Sequence, residues 1–479
     1  MHSLGTHALV FFDILLALYF VVGNGGYTIL MLTSFASVWL YKRRHSYEAL
    51  DQLRKSTVTP PVTIIIPAWN EQEIIVQAAR SALCTDYPGI QVTVVDDGSC
   101  DETLKRLVDA FALAPGNRIV RSPLRTRPQR GLYVSPEFPS LLVLSKDNGG
   151  KPDALNAGLN ACRTPYFCTL DADCILEPDA ILRLMRPIIS SPVHIAASGG
   201  IVRPLNGCTV VNGTVTKVNL PRTGVERFQV IEYLRTFLFG RTGWSRLGGT
   251  LIISGAFALF HRETVVEAGG FSNDTVTEDM ELIVRLRRWA VEHGRKLRTA
   301  FSSDPVCWVL CPDTLRMLGR QRRRWQLGLC QTLWKNRALF FDPAFGIFGG
   351  LSLPFHGLVE GLGAVVESAG YMIIPLAAWN NPSSLTFLLP LVLFSLAYSA
   401  LFSIAAVVLE ELTHRRYGTA RELMTLLFYA VTENFGYRQL LLLYRFTGTM
   451  RFLRGFRAWE KVVHLPPAEW LAGTAKERL

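Results

Sequence analysis

Acidic residues stand in pairs at points where short apolar runs of this chain end. Asp171 and Asp173 occupy alternate positions in TPYFCTLDADC, where a strand would give way to a turn. Two carboxylates in that arrangement can bind one hard cation. Mg²⁺ or Mn²⁺ with a bound diphosphate suits such a site, because Mg²⁺ shares its ligand shell between carboxylates and phosphate oxygens. A solvated turn is the ordinary alternative for so short a motif.

A second acidic pair and a glycine-rich segment suit the same kind of ligand. Asp97, in IQVTVVDDGS, can accept the imide N–H of a uracil, although DDGS is also common in turns and at helix starts. In NGGKPDALNAGL, Gly149 and Gly150 allow a close backbone approach, and Lys151 offers a compact cation for a phosphate. The alternative is a loop before a helix, with Lys151 in solvent.

Glu278 and Asp279 open a helix that is predicted to begin at about Thr277, in TVTEDMELIVRLRRW. Acids in the first turn of a helix are favoured by the helix dipole whatever their function. If a ligand cleft lies there, Asp279 is the right kind of group for a general base, provided that its pKa and its reach suit an acceptor hydroxyl.

The segment QRRRW combines a basic cluster with an aromatic ring. Helical spacing puts Gln321, Arg324 and Trp325 on one face and turns Arg322 and Arg323 elsewhere. Arg324 suits a leaving diphosphate, and the indole of Trp325 suits the apolar face of a sugar ring. Arg322 and Arg323 suit lipid phosphates, which are worth about 1 kcal/mol per basic residue near an anionic surface.

The acids lie between Pro60 and about Pro312, where short apolar runs alternate with amphipathic helices. This alternation predicts an α/β domain with a mainly parallel sheet, whose ligands bind at the carboxyl ends of the strands. Two capping boxes are predicted at helix starts, one from Asn70 with Glu73 and one from Ser99 with Glu102.

Three apolar stretches are long enough to cross the roughly 30 Å hydrocarbon layer of a membrane. They are Ile14–Leu40, Phe345–Trp379 and Ser384–Leu409. Basic residues follow the first stretch at Lys42 and the third at Arg415, so these ends are expected in the cytosol, with the N-terminus and the turn NNPS at 380–383 outside. The first stretch lacks the cleavage site of a signal peptide and is expected to remain.

The second stretch carries His356, Glu360, Gly363 and Glu367 at helical spacing, which predicts that they share one face. Charged groups at membrane depth are costly and face a partner or a water-filled path. Two interpretations stay open. These residues pair with Arg438 and neighbouring helices, or they form a polar wall for something hydrophilic that crosses.

Residues 423–446 are apolar but contain Glu433 and Arg438, and basic residues follow. We expect an interfacial or re-entrant helix pair broken near Gly436 rather than a fourth span. The predicted organisation is an N-terminal transmembrane helix at 1–45, a cytosolic α/β domain at 58–315, an interfacial helix with QRRRW at 316–342, two transmembrane helices at 343–412, and interfacial helices with a basic cytosolic tail at 413–479.

Composition excludes several classes. The formal net charge of +11 suits nucleic acid, anionic lipid or a phosphorylated substrate, but no recognisable nucleic-acid-binding module is present. The nine cysteines include no CxxC pair, which argues against a disulfide framework and a zinc site and favours reduced thiols.

Taken in order, PAWNE, DDGS, GGKPDALNAG, DADC, TED and QRRRW resemble the processive, membrane-integrated family 2 glycosyltransferases, which make cellulose, chitin, hyaluronan and poly-N-acetylglucosamine. The resemblance covers about Pro60–Gln331 and extends to the membrane layout. It implies a GT-A fold inserted between transmembrane helices, a UDP-sugar donor, and Mg²⁺ or Mn²⁺. The cellulose-synthase gating loop and cyclic-di-GMP-binding domain have no counterpart in this sequence.

The resemblance also implies roles for individual residues. The implied catalytic residues are Asp279 as base, Glu278 and Arg324, and the implied metal ligands are Asp171 and Asp173. Nucleotide-sugar contacts are implied for Ala68, Asn70, Glu71, Asp97, Lys151 and Asp171, and acceptor contacts for Gln321, Trp325, Ser254 and Gly255, the last two in a strand segment SGAF.

The implied function is inverting transfer of a sugar from a UDP-sugar to a growing β-linked polysaccharide at the inner face of the cell membrane, processive and coupled to export. The expected partners are the donor, a polysaccharide or glycolipid acceptor, membrane lipid and an accessory export subunit, with no nucleic acid. Two alternatives stay open. One is single addition to a membrane lipid, and the other is a non-catalytic membrane scaffold that kept the fold.

Overall fold

The computed structural model describes residues 2–44, 48–56, 58–380 and 385–456. The predicted turn beyond Asn380 and the predicted basic tail from Arg457 lie outside these residues. The described chain divides into two compact units. The sheet unit contains residues 38–226 and 250–312, and the helical unit contains residues 1–37, 227–249 and 313–462, in each case without the positions that are not described.

The strands of the described chain, numbered in order, all belong to the sheet unit. They are β1 Val62–Ala68, β2 Ile90–Asp96, β3 Ala114–Pro115, β4 Gln129–Val134, β5 Leu141–Lys146, β6 Tyr166–Leu170, β7 Cys174–Leu176, β8 Ile195–Pro204, β9 Thr209–Val211, β10 Thr214–Lys217, β11 Phe257–His261 and β12 Arg298–Val309.

The α-helices are numbered in the same way. They are α1 His2–Arg44, α2 Glu48–Lys55, α3 Ile75–Leu83, α4 Thr103–Phe111, α5 Lys151–Ala161, α6 Ala180–Ser190, α7 Gly224–Leu234, α8 Thr242–Leu247, α9 Arg262–Glu267, α10 Glu278–Glu292, α11 Leu315–Lys335, α12 Leu353–Phe355, α13 Gly363–Asn380, α14 Leu385–Thr413, α15 Ala420–Thr432 and α16 Tyr437–Leu453. Short 3₁₀ turns lie at Arg337–Leu339 and Pro343–Phe345, and π-helical segments at Arg235–Arg241, Phe348–Ser352 and His356–Gly361.

Ten strands form one sheet in the order β3-β4-β5-β2-β1-β6-β11-β8-β12-β7, and β9 pairs with β10 in a separate hairpin. Strands β5, β2, β1 and β6 pair in parallel, as do β8 and β12. Strands β4, β7 and β11 run opposite to the remaining strands of this sheet. The mainly parallel sheet predicted from the alternation of strands and helices is therefore confirmed.

The central strands are buried on both faces. In β1, Val62, Ile64, Ile65 and Ile66 are each 0% exposed. Ile64 and Ile66 belong to the apolar cluster on one face of the sheet and Ile65 to the cluster on the other, as the two-residue period of a strand requires. Continuous β-branched runs are typical of parallel strands covered by helices on both sides.

The two predicted capping boxes are wrong. Helices α3 and α4 begin at Ile75 and Thr103, and neither start has a side-chain cap hydrogen bond. The loops after β1 and β2 bond to each other instead. The Asn70 N–H donates to Ser99 Oγ at 2.9 Å, and the Cys100 N–H donates to Asn70 Oδ1 at 2.8 Å. These bonds between loops use the side chains that local capping would need.

Three helical stretches of the described chain are long and apolar enough to cross a membrane. They are Ile14–Leu40, Phe348–Leu376 and Val392–Thr413. They fall on the three stretches expected from the sequence, with shifted bounds for the second and third. Beyond the third, the chain forms α15 and α16 with Gly436 between them at a φ of 104°, so the helix breaks where the sequence predicted.

The second stretch is not a regular α-helix, because π-helical segments stand on either side of α12. The single α-helical face predicted for its polar residues is therefore interrupted. His356 is buried, with Nδ1 at 2.7 Å from the Ser352 carbonyl oxygen. Glu360 accepts a hydrogen bond from the hydroxyl of Tyr27 at 3.3 Å.

Neighbouring helices do supply partners for this stretch, but the ion pair predicted with Arg438 is wrong. Glu367 accepts a hydrogen bond from the Tyr19 hydroxyl at 3.0 Å. Arg438 pairs instead with Glu433, at 3.2 Å between Nη2 and Oε1, and Arg235 pairs with the same carboxylate. Glu433 is only five residues before Arg438, so the pair forms across the break between α15 and α16.

We expect Gly158→Ala to lower the thermal midpoint of the protein. Helix α5 packs so closely on β1 that a Cβ at Gly158 would lie 2.4 Å from Ile65 Cγ2, and overpacking of this kind costs about 1–3 kcal/mol. Thermal unfolding of the detergent-solubilised protein measures the effect. Gly240→Ala is the control, because a Cβ there meets no atom within 4 Å. Equal midpoints in the two variants would contradict the close packing.

Candidate active site

The carboxyl ends of the central strands bring the predicted acids to one edge of the sheet. Ala68, the last residue of β1, stands in register with Asp96 of β2, and its carbonyl accepts the Asp97 N–H at 2.8 Å. Asp171 directly follows β6, which is the other neighbour of β1. Residues that are distant in sequence thus meet where parallel sheets bind their ligands.

Lys151 joins two of these acids. Its Nζ lies 2.7 Å from Asp171 Oδ1 and 2.9 Å from Glu278 Oε1, so one ammonium links α5, the end of β6 and the start of α10. The lysine side chain is 24% exposed, which rules out the interpretation of Lys151 as a freely solvated residue. Glu278 is the first residue of α10, as the sequence predicted within one residue.

The pKa values of this cluster are shifted by burial and by the neighbouring charges. Burial alone would lower the pKa of Lys151, but Asp171 and Glu278 outweigh it and raise that pKa. Burial raises the pKa of the Asp171 carboxyl, with Lys151 opposing the rise and Asp173 adding to it. The site therefore keeps a firmly protonated ammonium beside carboxylates that compete for it.

Asp279 is held by neutral donors. Its Oδ2 accepts the Gly255 N–H at 2.7 Å, and its Oδ1 accepts the Met280 N–H at 2.8 Å. Burial raises the pKa of Asp279, and the charge of Glu278 raises it further, while Lys151 and the two N–H groups lower it. A carboxylate with a raised pKa and remaining lone pairs is suited to accept a proton.

The structure brings Gly255 to Asp279, although the segment is not the predicted strand. Residues 251–256 form an irregular segment and a turn, and β11 begins only at Phe257. A Cβ at Gly255 would lie 3.0 Å from Asp279 Oδ2, so the glycine lets the backbone approach the carboxylate. Ser254 is half-buried beside it. The Gly255 N–H donates to Asp279 instead of to a neighbouring strand, and only Phe257 of the predicted strand segment belongs to β11.

Asp97 organises the glycine-rich loop. Its carboxylate accepts the N–H groups of Gly149 at 3.0 Å and Gly150 at 2.7 Å, and it pairs with Lys146 Nζ at 2.5 Å. Gly150 has a φ of 86°, a conformation that glycine adopts without strain. Asp97 is 3% exposed, so at least part of its role is to shape the loop before Lys151.

Lys146 is a site residue that the sequence analysis missed. Its side chain is 1% exposed, and its Nζ lies 2.5 Å from Asp97 and 2.6 Å from Asp153. The signal in the sequence was weak, because a lysine at the end of an apolar strand usually reaches solvent. Its two partners show that it is a buried counterion, since Asp97 is distant in sequence and Asp153 follows seven residues later, in α5.

The loop after β1 carries Asn70 and Glu71. The Glu71 N–H donates to Thr103 Oγ1 at 2.8 Å, and the Glu71 carbonyl accepts the N–H of Ile75 at 3.0 Å. The Glu71 and Asn70 side chains are half-buried. The loop that follows Ala68 is thus fixed from both sides at the same sheet edge as Asp97.

Asp171 and Asp173 lie in the turn between β6 and β7, both half-buried. Cys174 Sγ donates to Asp173 Oδ1 at 3.6 Å. Among the described residues, no group of three or more His, Cys, Asp or Glu side chains could hold a metal ion. Two carboxylates still fit Mg²⁺ or Mn²⁺ chemically, because such ions often take one or two carboxylates and complete their shell with water and phosphate oxygens.

Two asparagines of α5 were also missed, and each fixes a neighbouring segment. The Asn156 side chain donates to the Phe271 carbonyl and accepts the Phe271 N–H, both at 2.8 Å. Asn160 makes the corresponding pair of bonds to Leu124, at 2.8 and 3.1 Å. Asn156 therefore anchors the segment that leads to Glu278 and Asp279.

Gln321, Arg324 and Trp325 lie on α11 in the helical unit. Gln321 is buried, Arg324 is half-buried, and Trp325 is 38% exposed. The predicted helix is present over Leu315–Lys335, so these three residues have the i, i+3 and i+4 spacing that the sequence analysis assumed. The predicted acids belong to the sheet unit, whereas these residues belong to the helical unit.

The prediction that Arg322 contacts lipid phosphates is wrong. Arg322 is 4% exposed, its Nη2 lies 2.8 Å from Glu232 Oε2, and its guanidinium lies 4.2 Å from the centre of the Trp325 ring. Glu232 also accepts the Tyr437 hydroxyl at 3.0 Å. Helical periodicity shows only that Arg322 points away from the helix face that carries Gln321. It cannot reveal a carboxylate that arrives from another helix.

Family models match most of the sheet unit. A model described as "Glycosyl transferase family 2" matches residues 63–133, and one described as "Glycosyltransferase like family 2" matches residues 137–328. Together these regions cover more than half of the chain. The chain belongs to glycosyltransferase family 2 and is a glycosyltransferase, and its sheet unit has the mixed, mostly parallel sheet of the GT-A fold.

Curated relatives include poly-β-1,6-N-acetyl-D-glucosamine synthases from staphylococci. The Staphylococcus aureus (strain COL) protein is 24% identical over 330 residues, which are 68% of this chain and 66% of that protein. The Staphylococcus epidermidis protein is 23% identical over 328 residues with the same coverage. The chain thus spans 66% of the length of these relatives.

Solved structures similar to this chain include the following two. A mannosyltransferase from Pyrobaculum calidifontis, in complex with GDP-Man and Mn²⁺, is 18% identical with a TM-score of 0.47, over 90% of this chain and 99% of that chain. A glucosyl-3-phosphoglycerate synthase from Mycobacterium tuberculosis, with Mn²⁺, UDP and phosphoglyceric acid, is 17% identical with a TM-score of 0.34, over 59% and 82%.

We expect Asn156→Ala to lower the turnover number by about 10- to 100-fold with a much smaller change in KM for the donor, because small displacements of reacting groups have effects of this size. Steady-state release of nucleoside diphosphate measures both constants. Asn160→Ala is the matched control, since it loses an equivalent pair of buried bonds to a segment that does not lead to the acids. Equal turnover in the two variants would show that Asn156 has only a structural role.

Proposed function

We propose that this chain is an inverting glycosyltransferase that transfers a sugar from a UDP-sugar to a growing β-linked polysaccharide. The observation that carries the proposal is the convergence of Lys151, Asp171, Glu278 and Asp279 at the carboxyl edge of the sheet. The similarity to proteins named poly-β-1,6-N-acetyl-D-glucosamine synthases supports a polysaccharide as the class of product.

The donor nucleotide is proposed to lie over the loops that carry Ala68, Asn70, Glu71 and Asp97. Asp97 uses three of its roughly four acceptor positions on protein donors. One position therefore remains for the imide N–H of uracil. The ammonium of Lys151 lies at the start of α5, where a diphosphate is favoured by the helix dipole.

Asp279 is proposed to be the general base. Its carboxylate is oriented by two backbone N–H groups, and it accepts the proton of the acceptor hydroxyl while the hydroxyl oxygen attacks the anomeric carbon. The bond to UDP breaks on the opposite face, so the configuration inverts and an α-linked donor gives a β-glycoside. Glu278 holds Lys151 in place and raises the pKa of Asp279.

The charge that grows on the leaving diphosphate needs cations. Lys151 supplies one when its ammonium exchanges a carboxylate partner for a phosphate oxygen, and Arg324 is proposed as a second. A divalent cation held by Asp171 and Asp173, Mg²⁺ or Mn²⁺, would supply Lewis-acid stabilisation of the same diphosphate. Gln321 and Trp325, with Ser254 and Gly255, are proposed to contact the acceptor sugar.

We propose further that the helical unit gives the polymer a polar route across the membrane, which would make synthesis processive. Within the candidate spans, the Tyr19 hydroxyl donates to Glu367 and the Tyr27 hydroxyl donates to Glu360. Arg445 adds a cation, with its Nη2 at 2.7 Å from the Glu360 carbonyl oxygen. Burying polar groups at that depth costs free energy unless they bind each other or a hydrophilic ligand.

The proposed location is the inner face of the cell membrane, with three spans, a cytosolic sheet unit, and α11, α15 and α16 at the interface. An accessory export subunit and membrane lipid are proposed partners. Single addition of a sugar to a membrane lipid is the alternative. Chromatographic sizing of the product separates the two, because a processive enzyme gives a polymer or ladder and the alternative gives one glycolipid.

We expect Asp279→Asn to reduce metal-dependent UDP release at least about 10²-fold, because general base catalysis contributes about 10²- to 10⁴-fold. The assay screens UDP-sugars with purified membranes, with and without a chelator. Asp109→Asn, on the exposed side of α4, is the control and should retain activity. Near-normal turnover in Asp279→Asn would refute the base, and no UDP release from any donor would favour a scaffold.

The raised pKa of Asp279 predicts the acid limb of the pH–rate profile. Turnover requires the carboxylate, so it should fall as the pH decreases through a value above the 3.8 of an ordinary aspartate. Glu278→Gln removes a negative charge that raises this pKa, so the limb should move to lower pH even if the maximum rate drops. If the acid limb of Glu278→Gln has the same midpoint pH as that of the wild type, the limb reports the titration of a group other than Asp279.

A further inference from the structure

A cavity of about 440 Å³ lies in the sheet unit, away from the acids. Its lining includes His194, His261, Thr264, Trp289, Arg295 and Lys296. Its volume falls within the 300–1,000 Å³ that is usual for small-molecule sites. None of these residues belongs to the motifs from which the active site was predicted.

The cavity is at the opposite edge of the sheet from the active site. His261 ends β11 and stands opposite Tyr166, the first residue of β6, whereas Asp171 follows the last residue of β6. At about 3.3 Å per residue, the length of β6 separates the two edges by roughly 15 Å. A ligand of the cavity therefore does not occupy the site of sugar transfer.

Two histidines and one threonine form a connected group on the wall of the cavity. The imidazole rings pack edge to face with centroids 4.7 Å apart. The Thr264 hydroxyl lies 2.8 Å from His261 Nδ1 and 3.2 Å from His194 Nε2. His261 Nδ1 also accepts the Thr264 N–H at the start of α9, so this nitrogen carries no proton.

This arrangement determines which nitrogen atoms can serve a ligand. Because His261 Nδ1 is an acceptor, its hydrogen is on Nε2, and the Thr264 hydroxyl can donate to Nδ1 while it accepts from His194 Nε2. His194 Nδ1 is then available to take up a proton without the loss of either bond. Protonated His194 would add a positive charge to the wall.

The wall of the cavity carries two basic side chains, with two carboxylates close to them. Arg295 and Lys296 follow α10 and are exposed, and Glu263 is the acidic residue in the lining. Arg295 lies 3.6 Å from Glu267 and 5.1 Å from the centre of the Trp289 ring, which limits the directions that its guanidinium can take. Guanidinium, ammonium and imidazolium groups together are the donors that proteins use for phosphate.

We propose that this cavity binds a small molecule that carries a phosphate group. Arg295 and Lys296 hold the phosphate oxygens, His194 binds in its protonated form, and the remaining volume takes the organic part of a phosphate ester. A metal site is disfavoured, since the described residues include no group of three or more suitable ligands. Glu263 opposes the anion and weakens its binding.

Protonation of His194 makes the binding depend on pH. Burial lowers the pKa of His194 and Arg295 lowers it further, and burial and His194 lower the pKa of His261 while Glu263 and Glu267 raise it. A bound phosphate would offset these effects and favour the imidazolium. The loss of affinity caused by His194→Gln should therefore be larger at pH 5.5 than at pH 8, a comparison that cancels the titration of phosphate itself, whose second pKa is about 6.

Calorimetry of the full chain in detergent, with inorganic phosphate and glycerol 3-phosphate as probes, tests the proposal. We expect Arg295→Ala with Lys296→Ala to weaken binding at least about tenfold, and Arg288→Ala with Lys217→Ala, two exposed residues outside the lining, to leave it unchanged. Glu263→Gln should strengthen binding, a gain that a misfolded variant could not show. The ratio of wild-type to His194→Gln affinity should fall from pH 5.5 to pH 8, and a ratio that does not change with pH would overturn the role of His194.

The active site is also able to bind phosphate, so each titration is repeated in Asp279→Asn and Lys151→Ala backgrounds. Binding that survives Lys151→Ala and is lost with Arg295 and Lys296 supports the cavity. Binding that is lost with Lys151 alone, absent up to millimolar phosphate, or unchanged by the Arg295 and Lys296 substitutions would overturn the proposal. A lack of sugar transfer would not affect this outcome, which keeps the two tests separate.

Discussion

Charge compensation by two lysines holds the active-site edge of the sheet together. Lys146 lies between Asp97 and Asp153, and Lys151 lies between Asp171 and Glu278. The two lysines flank the glycine loop, so three acids from separate segments, Asp97, Asp171 and Glu278, are tied to one short stretch of chain that also contains Asp153. Buried charges are costly to desolvate, and removal of one partner typically costs about 3–5 kcal/mol. The loop therefore has few alternative conformations that keep its charges paired.

Much of the architecture could be predicted, because it depends on patterns local to the sequence. Buried β-branched runs such as Val62–Ile66 indicate parallel strands, and the acids after them lie at the strand ends where parallel sheets bind ligands. The start of α10 at Glu278 and the helix that contains QRRRW could also be predicted from local sequence patterns. Motif order then indicated the family, which no single triplet could have done.

Several errors have the same physical cause, which is a partner on another segment of the chain. Asn70 bonds to the loop after β2 instead of to its own helix, and Arg322 pairs with Glu232 instead of with lipid. Lys146 and Asn156 were overlooked because the residues next to them in sequence do not show whether such a side chain is buried with a partner or exposed to solvent. Periodicity gives the direction in which a side chain leaves its helix or strand. It does not give the group that the side chain meets.

The hydrogen bonds of the acids separate structural from chemical roles. Asp97 pairs with a buried ammonium and two N–H groups, so its negative charge is compensated within the fold. Asp279 has only neutral donors in contact, together with a neighbouring carboxylate that raises its pKa. A base must hold a lone pair that is not already committed to a cation. Because Asp97 is paired with a cation and Asp279 is not, we propose Asp279 as the group that accepts a proton from an attacking hydroxyl.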